Sequence, residues 1–217
     1  MKTQINSFII LIISMGSILF FGCEDPMGDE LSHRFSPTDE IISNPPHKNL
    51  PFVKQVIKRD FDGAKGWRIV WGGGEWDVSD VQKIPSIFST VTGSVNSVLY
   101  LNNTSPQNTD NADMSIYFSL AATDQIGSLN YTTRTKKTLF KLSGMNVTDL
   151  QNAAENHPNL FTVAYEWDLN EPNGSLSMGN YQTGDIYSFK TDRAPAKYGA
   201  IRIVDKSPLT IEIVVQK

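Results

Sequence analysis

The chain of 217 residues predicts a mostly β fold, an antiparallel β-sandwich or barrel-like domain with one short helix. Three observations carry that expectation. Apolar residues alternate with period two through much of the stretch from Pro51 onward, as half-buried strands require. Turn residues separate the alternating runs at short intervals. Only one stretch pairs a helix cap with a helical apolar face.

The elements follow in order. Trp67, Ile69 and Trp71 alternate with Arg68 and Val70, which places both tryptophans on a core face. Met114, Ile116, Phe118 and Leu120 alternate with Ser115, Tyr117, Ser119 and Ala121. Phe161, Val163, Tyr165, Trp167 and Leu169 alternate with Thr162, Ala164, Glu166, Asp168 and Asn170, and Leu209, Ile211, Ile213 and Val215 with Thr210, Glu212, Val214 and Gln216. Less regular strands are expected over Val95–Leu101, Leu129–Thr133, Thr138–Leu142, Asp185–Thr191 and Tyr198–Val204. Glu171-Pro172-Asn173-Gly174 has the residues of a tight turn, so Phe161–Asn170 is expected to pair with Ser175–Tyr181. Lys206-Ser207-Pro208 separates the last two strands. Asn146 caps the single expected helix, with Asp149 three residues on, Val147, Leu150 and Ala154 on one face and Pro158 as the stop. About nine short strands of this kind make a sandwich or a barrel.

The first fifty residues read differently. Lys2 precedes an apolar run from Phe8 to Phe21, which ends at Gly22-Cys23. A basic start, an apolar middle and a small residue before a cleavage point make a secretory signal over residues 1–22. The run falls short of the roughly 20 residues a membrane-spanning helix needs. Leu19-Phe20-Phe21-Gly22-Cys23 resembles the lipobox of bacterial lipoproteins, although Phe20 stands where leucine is usual and Phe21 is bulkier than the usual residue. The resemblance implies acylation of Cys23, the one cysteine in the chain, and a membrane anchor through it. An unpaired thiol sent to an oxidising compartment is otherwise hard to explain.

Residues 23–50 form an acidic tether. Glu24, Asp25, Asp29, Glu30, Asp39 and Glu40 face only Arg34 and Lys48, and Pro26, Pro37, Pro45 and Pro46 interrupt a segment with little to bury. Such a composition predicts disorder. Glu24-Asp25 directly after the cysteine resembles the export signal of Bacteroidetes lipoproteins, which implies an outer-membrane position, surface-exposed. Gly184-Asp185-Ile186-Tyr187-Ser188-Phe189-Lys190-Thr191 and Lys197-Tyr198-Gly199-Ala200-Ile201-Arg202-Ile203 look like the closing strands of uncharacterised lipoproteins of that group, implying a β-rich exported domain and no activity.

Residues 51–217 carry 17 acidic and 16 basic side chains. A near-neutral domain lacks the dense basic face that nucleic acid needs. One cysteine leaves no cysteine–histidine zinc site, and Cys23 belongs to the anchor. His33 and His47 lie in the tether, so a Ser/His/Asp site would need His157, which no Gly-x-Ser-x-Gly elbow accompanies. Glu166 and Asp168, two apart on an expected strand, share a face and make a conceivable carboxylate pair for glycoside hydrolysis, but half-exposed strands ordinarily carry acidic pairs on the wet face, and that is the reading taken. The expectation is a non-enzyme.

Two stretches point to binding. Trp76 follows Gly72-Gly73-Gly74 and stands between Glu75 and Asp77; an exposed indole flanked by carboxylates suits stacking on a sugar ring. The alternative is a bulge that folds Trp76 back as a lid on the core. The loop from Asn102 to Asp113 is rich in oxygen ligands, with Asn108, Asp110 and Asp113 as a candidate calcium set, but lacks the regular spacing of such loops. No other cofactor is expected. The reading is a lipid-anchored cell-envelope binding or accessory protein, with glycan as ligand. The alternatives are a structural subunit that adds a strand to an envelope protein and a lipocalin-like barrel for an apolar ligand.

Overall fold

The structure, a computed structural model, describes residues 53–71, 83, 85–103, 112–117, 125–128, 137–168 and 173–217. The expected signal, Cys23 and the expected tether lie outside the described residues, as do Glu75, Trp76, Asp77, Asn108, Asp110 and the strand expected over Leu129–Thr133.

Ten strands are present among the described residues: β1 Val53–Asp60, β2 Ala64–Trp71, β3 Pro85–Phe88, β4 Val95–Ser97, β5 Met114–Tyr117, β6 Gln125–Ser128, β7 Thr138–Leu142, β8 Ile186–Thr191, β9 Tyr198–Lys206 and β10 Leu209–Gln216. The helices among the described residues are α1 Val98–Asn103, α2 Val147–Glu155 and α3 Asn159–Glu166. The strands form a six-stranded sheet in the order β1-β2-β10-β9-β8-β7 and a four-stranded sheet in the order β4-β3-β5-β6. Every pairing is antiparallel. Two sheets rather than one closed cylinder make this a sandwich, so the barrel alternative is not the observed architecture.

The alternation explains the layers. Trp67, Ile69, Ile201, Ile203, Ile211 and Ile213 project from one face of the larger sheet and meet Phe88, Met114, Ile116 and Ile126 of the smaller one in a single buried cluster. Trp67 meets Phe88 edge-on at a ring-centroid distance of 5.5 Å, the arrangement aromatic quadrupoles favour. Trp71, fully buried, donates its indole N–H to the Pro85 carbonyl at 3.1 Å. Both tryptophans therefore sit on the core face, as their alternation requires.

The outer face of the larger sheet carries Ala64, Ile186, Ala200 and Val214, small enough to admit Leu150, Ala153 and Ala154 of α2 and Phe161 of α3. The molecule thus has three layers: small sheet, large sheet and helices. Beyond this apolar patch, register places Glu212 of β10 between Arg68 of β2 and Arg202 of β9. Arg202 donates to Oε2 of Glu212 at 3.3 Å, and Arg68 lies 3.7 Å from Oε1. Burial pushes the Glu212 carboxyl up, against the pull of Arg202 and Arg68.

The cap of α2 forms as expected. Asn146 Oδ1 accepts from the Asp149 N–H, and Asp149 Oδ2 from the Asn146 N–H, each at 3.0 Å. Two expectations fail. Val95–Leu101 is a strand only to Ser97, whose hydroxyl accepts from the Tyr100 N–H at 3.1 Å and starts α1; Val98 and Leu101, three apart, then bury together. Phe161–Glu166 is helix and not strand: of Phe161, Val163, Tyr165 and Trp167 only Phe161 and Tyr165 are buried, at the i, i+4 spacing of a helix, while Leu169 and Asn170 lie outside the described residues. Ser175–Tyr181 consequently finds other partners. Ser175 bridges Phe140 of β7 and Ser177 bridges Gly127 of β6, so this segment spans the two sheets. Gly174, at φ +62°, supplies the turn before it.

Candidate functional site

The best-built surface feature lies at the C-terminal end of α3. The helix is held down by charge. Lys141 of β7, buried in the outer face, donates from Nζ to the Tyr165 carbonyl and lies 4.4 Å from the centroid of the Tyr165 ring. An ammonium there satisfies a carbonyl the helix leaves unpaired and complements the negative end of its dipole. The Tyr165 ring packs edge-on against Tyr198 of β9, centroids 6.1 Å apart. One residue on, Glu166 Oε1 accepts two bonds, from Lys190 Nζ and from the Tyr198 hydroxyl, each at 2.6 Å. Those bonds, Lys190 first, hold the Glu166 carboxyl below its ordinary range, and the Lys190 ammonium is held above its own by Glu166.

Trp167 follows, and it faces water. Its N–H bonds to the Val163 carbonyl at 3.0 Å as the chain leaves the helix, while its side chain is 78% exposed. Val163, one turn earlier on the same side, is 46% exposed and extends the apolar shelf. Glu166 and Asp168 flank the indole in the sequence. Because both Glu166 bonds use Oε1, Oε2 accepts nothing from the described residues and stays open to a ligand. An exposed indole is a flat apolar face on which a ring can stack, and a carboxylate oxygen is an acceptor for hydroxyls.

The expected sites fall as follows. Trp76, with Glu75 and Asp77, is outside the described residues, and the feature reasoned for it is found at Trp167. That residue was placed on a core face by an alternation that α3 breaks. The missed signal was in plain view, since Glu-Trp-Asp occurs both at 75–77 and at 166–168. Asp113 of the candidate calcium set is buried, and its carboxylate is engaged inside the protein: Oδ2 accepts from the Thr90 N–H and hydroxyl at 2.7 and 2.6 Å, and Oδ1 accepts from Arg193. Among the described residues no group of three or more histidine, cysteine or acidic side chains is placed to hold a metal. Glu166 and Asp168 sit at a helix end instead of along one strand face. His157 is exposed in the turn between α2 and α3. No helix among the described residues is long and apolar enough to cross a membrane.

Compared with protein-family models, curated proteins and solved structures, the chain finds no match. The functional reading therefore rests on this geometry and on the sequence.

Proposed function

We propose that the chain is a lipid-anchored cell-envelope protein whose β domain binds glycan without acting on it. The carrying observation is the exposed Trp167 indole, flanked in the sequence by Asp168 and by Glu166, whose carboxylate Lys190 and Tyr198 hold in place. That it leaves the glycan intact is carried over from the sequence, which offers no catalytic motif beyond the spacing of Glu166 and Asp168. The anchor and the outer-membrane position rest on the run from Phe8 to Cys23 and the acidic pair after it.

Two experiments test the two halves. A glycan microarray probed with residues 51–217 is expected to retain the domain on a defined subset of glycans, and Trp167→Ala to abolish that retention while melting as the wild type does. Retention unchanged in the variant would remove Trp167 from the account. For the anchor, cells fed labelled palmitate should label the wild type, and Cys23→Ala should leave the membrane fraction. A membrane-bound, equally labelled variant would contradict acylation at Cys23.

A further inference from the structure

A second site opens where the β1–β2 hairpin ends. A cleft of about 320 Å³ lies there, lined by Lys58, Arg59, Asp60, Lys65, Trp67 and Thr92 among others. That volume is at the small end of the range of ligand pockets, roughly 300–1,000 Å³, enough for one ring or one acidic group.

Register explains its charge. Lys58 stands opposite Trp67, and Asp60 opposite Lys65. Residues directly opposite, or two apart on one strand, share a face. Lys58, Asp60, Lys65 and Trp67 therefore form a two-by-two patch with the lysines on one diagonal. Diagonal Cβ atoms of such a pair stand about 7–8 Å apart, a spacing from which two flexible ammonium groups reach one oxyanion from opposite sides. Asp60 offsets part of this charge, its Oδ1 pairing with Lys217 Nζ at 2.7 Å, but Lys58, Arg59 and Lys65 outnumber the one carboxylate of the lining. The hairpin from Val53 to Trp71 has five basic and two acidic residues in a chain of net charge −4. Cations are concentrated here against the overall balance.

The opposite lip is preformed. In the turn after β3, the Ser89 hydroxyl accepts from the Val91 and Thr92 N–H groups at 3.3 and 3.2 Å, and the Gly93 N–H donates to the Ser89 carbonyl at 2.8 Å. Gly93, at φ +71°, lies so close to Trp67 that a Cβ there would stand 1.8 Å from the indole nitrogen. Turn and indole are packed as one unit, so a ligand meets a cleft already shaped.

From cavity, register and charge we infer that this cleft binds an oxyanion, a carboxylate or sulfate or phosphate group, between Lys58 and Lys65 with Trp67 as the floor. It shares no residue with the Trp167 shelf and stands whether or not that shelf binds sugar. A lysine carries three donors, so a bond to a neighbour leaves others for the anion.

The test is an amide NMR titration of residues 51–217 at constant ionic strength with sulfate, phosphate, glucuronate and glucose. Saturable shifts at Lys65, Gly66, Val91 and Thr92 are expected with the three anions and not with glucose. Affinity in Lys65→Gln, a change at an exposed position, should fall on the order of tenfold, the worth of one charge-assisted hydrogen bond. Tighter binding of glucuronate would identify a ring-borne carboxylate, and tighter binding of sulfate or phosphate an inorganic group or its ester. Shifts that fail to saturate, that appear equally around Lys83 and Lys206, or that glucose reproduces would overturn the inference, as would an unchanged affinity in Lys65→Gln.

Discussion

Glu212 has no exposed surface, yet it sits in the middle of the larger sheet with an arginine on either side. Desolvating three charges is expensive, and their mutual attraction only roughly offsets it. Removing the carboxylate alone is a different matter, because it takes from Arg202, which is buried, and from Arg68 the charge that balances them here. Glu212→Ala should therefore cost about 3–5 kcal/mol. Replacing the whole group, Arg68→Met with Glu212→Leu and Arg202→Met, should cost less than that single change. Denaturant melts of the two variants check the order. At this scale the sequence was a partial guide. The cross-strand alignment of Arg68, Glu212 and Arg202 depends on which strands are neighbours, and β2 joins β10 from the far end of the chain. No local pattern reports that pairing.

Among the elements, α3 is the instructive one. Leu160-Phe161-Thr162-Val163-Ala164-Tyr165 satisfies period two and, through Phe161 and Tyr165, period four as well. Thr162 and Ala164 fit either face, so alternation alone did not decide between strand and helix. What decides is tertiary: the small residues on the outer face of the larger sheet leave room for a helix, and Lys141 binds the Tyr165 carbonyl near its end. By contrast α2 was legible because its cap is local, with Asn146 and Asp149 meeting each other. The clamp on α3 makes a pH prediction. Glu166 titrates below its ordinary 4.5 in the folded state, so its contribution is complete above that value and is lost as pH falls through the folded one. Lys190 titrates above 10.5, so its contribution is complete below that value and is lost as pH rises through the folded one. The end of α3 should be held between about pH 4.5 and 10.5 and loosen outside that window. Carbon-detected NMR titration of the Glu166 carboxyl checks this, and in Lys190→Met its midpoint should move up.

Across the whole molecule, period two sufficed for the class of fold, because most strands bury one face in a single shared core. It did not suffice for β1, β3 and β6, whose residues alternate too weakly to stand out. The same architecture separates two kinds of tryptophan. Trp67→Ala opens a cavity between the sheets and should cost about 3–5 kcal/mol. Trp167→Ala removes an exposed ring and should change stability by no more than about 0.5 kcal/mol. Thermal melts of the pair decide whether shelf and core are as distinct as their burial.

The central claim is that the Trp167 face meets a glycan, and the four tryptophans make it directly observable. Each contributes one indole N–H signal to a proton–nitrogen NMR spectrum, assigned by replacing each residue in turn. Titration with the strongest glycan from the microarray should shift the Trp167 signal progressively to saturation and leave those of the buried Trp67 and Trp71 in place. A Trp167 signal that stays fixed while the glycan saturates the protein would contradict the account.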